Sequence, residues 1–104
     1  SALTNEDFQI IYTGETDVYC YAKIKNGYAT VKGRSYGTLN IPASKYYSLT
    51  TLPQKYRPSG ITPFSVVSLG GEAKIFGRID TSGVIELYSD VSTGHWAYCF
   101  TYPV

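Results

Sequence analysis

The chain lacks most of the residues on which enzyme and metal chemistry rests. It has one histidine, His95, and two cysteines, Cys20 and Cys99, among 104 residues. A single histidine rules out a His-Glu-x-x-His zinc site, and no Gly-x-Ser-x-Gly elbow is present to carry a nucleophilic serine. The cysteines have neither Cys-x-x-Cys spacing nor a companion histidine motif, which excludes the common zinc patterns. They allow two arrangements: a disulfide stapling the first and last strands, or two small buried thiols in a protein made in a reducing cytoplasm. The residues therefore point to no catalytic group, no metal and no cofactor. A glycosidase-type carboxylate pair drawn from Asp80, Glu86 and Asp90 is the one enzymatic arrangement left, and it needs a cleft that so short a domain rarely encloses.

Charge is also scarce. Charged residues make up 16% of the chain and the net charge is +1, without the basic excess that a phosphate-backbone binder shows, so nucleic acid is not an expected partner. No apolar run approaches the roughly 20 residues that cross a bilayer, and no charged-then-apolar leader is present, so membrane insertion is not expected. Apolar residues at helical spacing are missing too. Short alternating runs separated by Gly, Pro, Asn and Ser recur instead, which predicts an all-β fold.

What the chain has in quantity is tyrosine. Eleven tyrosines, four phenylalanines and one tryptophan give 15% aromatics, a composition that serves sheet packing and flat contact surfaces equally. The length fits one domain with a thin core, burying about two-thirds of the unfolded surface. Such a core gains from symmetric association with further copies.

Strands are expected from Asp7 to Thr13 and from Asp17 to Lys25, the second with Val18, Cys20, Ala22 and Ile24 facing the core. Asn26-Gly27 is a two-residue hairpin turn, because both residues tolerate positive φ. It sets the pairs Ile24 with Ala29 and Ala22 with Val31 inside, and Tyr21 with Lys32 and Tyr19 with Arg34 outside. A further strand is expected from Ser35 or Tyr36 to Ile41. Residues Ala43 to Gly60 read as a long connection stiffened by Pro53 and Pro58, with Tyr56 packed against the sheet or turned to a ligand. Strands follow from Ile61 to Leu69 and from Glu72 to Asp80, with Ala73, Ile75, Gly77 and Ile79 inward. Parity then requires a three-residue Thr81-Ser82-Gly83 loop, pairing Ile79 with Ile85, Arg78 with Glu86 and Phe76 with Tyr88. In the last strand, His95 to Tyr102, either the row Trp96, Tyr98, Phe100, Tyr102 or the row Ala97, Cys99, Thr101 faces inward.

A saccharide site needs an aromatic plane to stack on a sugar ring and planar polar groups for its hydroxyls. Arg78, Asp80, Glu86, Tyr88, His95 and Trp96 supply these types. The same residues also fit an Arg78–Glu86 surface ion pair with Trp96 as a core anchor.

Leu52-Pro53-Gln54-Lys55-Tyr56-Arg57-Pro58, followed by Gly77-Arg78-Ile79-Asp80 and a Trp-containing terminal strand, resembles the C-terminal head domains of tail-tip receptor-binding proteins from phages of Gram-positive bacteria, the lactococcal ones especially. The resemblance covers roughly the last half of the chain. It implies a compact β-sandwich or β-barrel head that forms a homotrimer and binds host cell-wall saccharide, phosphopolysaccharide or glycerol between subunits. The family's site uses His or Arg, an Asp two residues on, and a Trp; Arg78 and Asp80 match the first two, and Trp96, beside His95, is the only tryptophan. It further implies a place at the distal tail or baseplate of the virion, joined to other tail proteins through a part preceding Ser1-Ala2-Leu3. A structural fibre cap and a carbohydrate-binding module of a larger enzyme are the alternatives.

Overall fold

A computed structural model describes residues 7–12, 18–71 and 73–104. The expected strand limits at Thr13, Asp17 and Glu72, and the Ser1-Ala2-Leu3 start, lie outside the described residues. The fold is all-β, as expected. Eight strands are present among the described residues: β1 (Gln9–Tyr12), β2 (Val18–Lys25), β3 (Tyr28–Ile41), β4 (Tyr46–Thr51), β5 (Thr62–Ser68), β6 (Ile75–Ile79), β7 (Val84–Ser89) and β8 (Thr93–Pro103). They form one antiparallel sheet in the order β1-β2-β3-β8-β5-β6-β7-β4, curled into a half-barrel whose concave face holds the core.

Both hairpins have the register that the sequence dictates. Asn26 and Gly27 take φ of 53° and 81°, and Lys25 pairs with Tyr28, Ala22 with Val31 and Tyr19 with Arg34. At the second hairpin Gly83 takes φ of 85°, its N–H donates to the Asp80 carbonyl at 2.9 Å, and Ile79 pairs with Ile85 and Arg78 with Glu86. A three-residue loop is therefore correct.

Two expectations need correction. The separate strand from Ser35 to Ile41 is the continuation of β3, a single strand of 14 residues. Its pairing with β8 shifts between Tyr36 and Ile41, so the alternation breaks at a bulge within the strand. The Ala43 to Gly60 connection contains β4, an edge strand paired with β7. Tyr46-Tyr47-Ser48-Leu49-Thr50-Thr51 has strong strand formers, but a register shift between Ser48 and Thr50 blurs its period of two.

The aromatic row of β8 faces inward. Trp96, Tyr98 and Tyr102 are buried, while Cys99 and Thr101 are exposed on the outer face. This orientation settles the cysteines: Cys20 is buried and Cys99 exposed, on opposite faces of the sheet, and both are free thiols. Burial pushes the Cys20 thiol up to about 11, and the Tyr98 hydroxyl beside it partly opposes that rise. The paired-thiol arrangement is excluded, and of the two thiols only Cys20 is buried.

The Leu52–Pro58 segment closes the open side of the half-barrel. The Leu52 N–H donates to the Gly83 carbonyl at 2.8 Å, and a single 3₁₀ turn over Gln54–Tyr56 brings the Tyr56 ring into the core. Tyr102 donates its hydroxyl to the Tyr56 carbonyl at 2.6 Å. Of the two readings of Tyr56, the packed corner is the one realised.

Candidate functional site

The β6–β7 hairpin and edge strand β4 build a patch on the convex face. Alternation turns Phe76 and Arg78 of β6, Glu86 and Tyr88 of β7, and Tyr46 of β4 outward, and cross-strand pairing sets them side by side: Arg78 opposite Glu86, Tyr88 opposite both Phe76 and Tyr46. The guanidinium carbon of Arg78 sits 3.8 Å from the centroid of the Tyr46 ring. Its Nε donates to Glu86 Oε1 at 3.0 Å. Phe76 and Tyr88 stack at 5.0 Å, and Tyr46 meets the pair edge-on or tilted at 6.1 and 5.3 Å.

Placed this way, the charge pair is braced by the Tyr46 ring. With Arg78 and Glu86 37% and 20% exposed, it contributes at most about 1 kcal/mol to stability. Among the described residues the two terminal guanidinium nitrogens of Arg78 make no hydrogen bond. A donor fork held flat against a ring, beside exposed Phe76, combines the apolar plane and the polar donors that a sugar requires.

A shallow groove of about 410 Å³ borders this patch, lined by Ser65, Val67, Ala97, Tyr98 and Cys99. It opens where β5 changes partners, Thr62–Val66 pairing with β6 while Val67 and Ser68 pair with β8. Ser65 is the cross-strand neighbour of Phe76, so groove and aromatic patch adjoin.

The other expected site residues go elsewhere. Trp96 is fully buried and its indole N–H donates to the Leu39 carbonyl at 3.1 Å, so it presents no face to a ligand; it anchors the β3 bulge. His95 is exposed but distant. Its carbonyl accepts from the Leu69 N–H, whereas Arg78 pairs with Pro63 six residues earlier on β5, a separation on the order of 20 Å along the strand. Asp80 is occupied locally: its Oδ1 accepts from Ser82 Oγ at 2.7 Å, Ser82 N–H at 3.0 Å and Val84 N–H at 3.1 Å. The Ser82 hydroxyl, then the Val84 N–H, hold its carboxyl below the usual range. Asp80 thus shapes the loop beside Arg78.

The carboxylates do not form a glycosidase pair with Asp90. Asp80 adjoins Val84 at one end of the hairpin, while Asp90 Oδ1 accepts from the Lys74 N–H at 2.7 Å at the other. Two members of the patch escape sequence reasoning. Phe76 is legible as outward-facing but carries no functional signal by itself, and Tyr46 becomes a neighbour of Arg78 only once β4 is recognised.

No family model matches the chain, and no curated protein matches it.

Proposed function

We propose that this domain is the host-recognition head of a phage tail, a non-catalytic adhesion module that binds cell-wall saccharide through the outer face of β4, β6 and β7. The observation that carries the reading is the Arg78 guanidinium lying 3.8 Å over Tyr46 at a solvent-facing surface, beside the stacked Phe76 and Tyr88 rings. A sugar ring packs on Phe76 or Tyr88 while the free guanidinium nitrogens and Glu86 meet its hydroxyls; a phosphate substituent on the polysaccharide pairs with Arg78. The adjoining groove accommodates the next residue of the chain.

In this reading three copies associate, and the exposed Ile61 and Leu69 at the two ends of β5 supply apolar surface for the contact. Several weak sites on one trimer, and many trimers on one virion's distal tail, give firm adhesion through effective concentration. In the same reading the domain works alongside other tail or baseplate proteins.

Calorimetric titration with purified wall saccharide tests the site. Arg78→Ala is expected to weaken binding at least tenfold while shifting stability by no more than about 1 kcal/mol, and Tyr46→Ala, which also removes the ring contacts with Phe76 and Tyr88, is expected to weaken it as much. Normal binding by both variants contradicts it. Binding of no saccharide by a stable trimer would favour a structural fibre cap, and a saccharide-binding monomer would favour a carbohydrate-binding module.

A further inference from the structure

The near-neutral net charge conceals a cluster of cations on one face. Four of the nine Lys and Arg residues, Lys23, Lys25, Lys32 and Arg34, lie on β2 and β3, at positions alternating with the core-facing row. The outward positions of β2, β3 and β8 include no carboxylate, whereas Asp80, Glu86 and Asp90 all belong to the β6–β7 hairpin and its ends. Among the described residues, none of the four cations has a carboxylate partner.

Aromatic rings hold three of these cations instead. Lys23 and Lys32 place their ammonium groups 4.6 and 4.2 Å from the Phe8 centroid, and Arg34 lies 4.7 Å from Tyr19 and 4.3 Å from Tyr36. Ring contacts restrain a cation without neutralising it. The ladder also spaces them. Lys32 pairs with Tyr21 and Arg34 with Tyr19, so the successive outward levels of β2 at residues 25, 23, 21 and 19 each carry one cation. At strand rise this is one positive charge about every 7 Å over roughly 20 Å.

We propose that the outer face of β2 and β3 is a second binding surface, which takes an extended polymer of polyol units joined by phosphodiesters. Successive phosphates separated by a three-carbon polyol are six bonds apart, the length of two extended residues, or about 7 Å. A single-stranded nucleic acid has a similar charge spacing, but it needs open ring faces on which bases stack. Here the faces along the middle of the row are taken: Tyr19 and Tyr21 stack on each other at 4.6 Å, and Arg34 covers Tyr19 and Tyr36, which leaves exposed Tyr28 alone at the Lys25 end. The surface offers charge and hydroxyl tips. This site is separate from the Arg78 patch and stands whether or not that patch binds sugar.

The test is binding of purified poly(glycerol phosphate) to the whole domain, with a neutral polysaccharide and an oligothymidylate of equal charge as competitors. Four neutralised phosphates predict an affinity loss of about 50-fold between 50 and 200 mM salt, using the single-strand slope. Lys23→Glu with Lys32→Glu is expected to lower affinity at least tenfold at 50 mM salt, and exposed Lys25→Glu alone should weaken it with an unchanged melting temperature. The same losses are expected in an Arg78→Ala background, where the other phosphate-pairing group is absent. Salt-insensitive or absent binding, charge reversals without effect, or tighter binding of the oligothymidylate would each overturn the proposal.

Discussion

Asp80 shows how one side chain can look like a ligand group and serve as a loop staple. Its carboxylate gathers the Ser82 hydroxyl and two backbone N–H groups, so its charged form is preferred in the folded state. A depressed folded pKa adds stability above the unfolded value of about 4, and that stability is lost as pH falls through the lower folded value. Asp80→Asn should therefore melt below the parent at neutral pH, and the gap should close as the solution is acidified below about pH 4. A pH-independent gap in thermal melts would show that the carboxylate charge is not what matters. Gly83 is constrained twice, by its φ of 85° and by the Leu52 carbonyl, 2.8 Å from where a Cβ would sit. Gly83→Val should cost about 2 kcal/mol or more in chemical denaturation, since the left-handed conformation alone costs roughly 1–2 kcal/mol. An unchanged midpoint would mean that the loop rearranges.

At the scale of elements, the corner from Leu52 to Pro58 ties β8 to the β6–β7 loop. It receives one hydrogen bond from β8 through Tyr102 and gives one to the β6–β7 loop at Gly83. Tyr102→Phe removes the first and leaves the Tyr56 carbonyl without that donor, and the expected loss is about 1–3 kcal/mol in denaturant melts. No measurable loss would show that the corner is held by apolar burial alone. The hairpins and this corner were legible because each rests on local rules: positive φ at Asn26-Gly27, parity across Thr81-Ser82-Gly83, fixed φ at Pro53 and Pro58. The β3 bulge and β4 were not, because a register shift interrupts the alternation that identifies a strand, and the interruption is stabilised by remote partners. Trp96 bonding the Leu39 carbonyl is such a partner, 57 residues away in sequence. The inward face of β8 was undecided for a related reason. Both its rows can pack, and only the neighbours β3 and β5 fix which does.

For the whole molecule, two convex surfaces with different chemistry flank one thin core. Arg78, Glu86 and Tyr88 were legible as a cluster because cross-strand register follows from the hairpin. Tyr46 joined them only through the order of the sheet, and His95 and Trp96 fell away for the same reason. The measurement that tests the account most directly is amide chemical-shift mapping of the domain titrated with purified neutral wall saccharide. Saturable shifts concentrated at Tyr46, Phe76, Arg78 and Tyr88, absent in Arg78→Ala, are the predicted result. Saturable shifts confined to other strands, or none at millimolar saccharide, would contradict the assignment of this face as the recognition site.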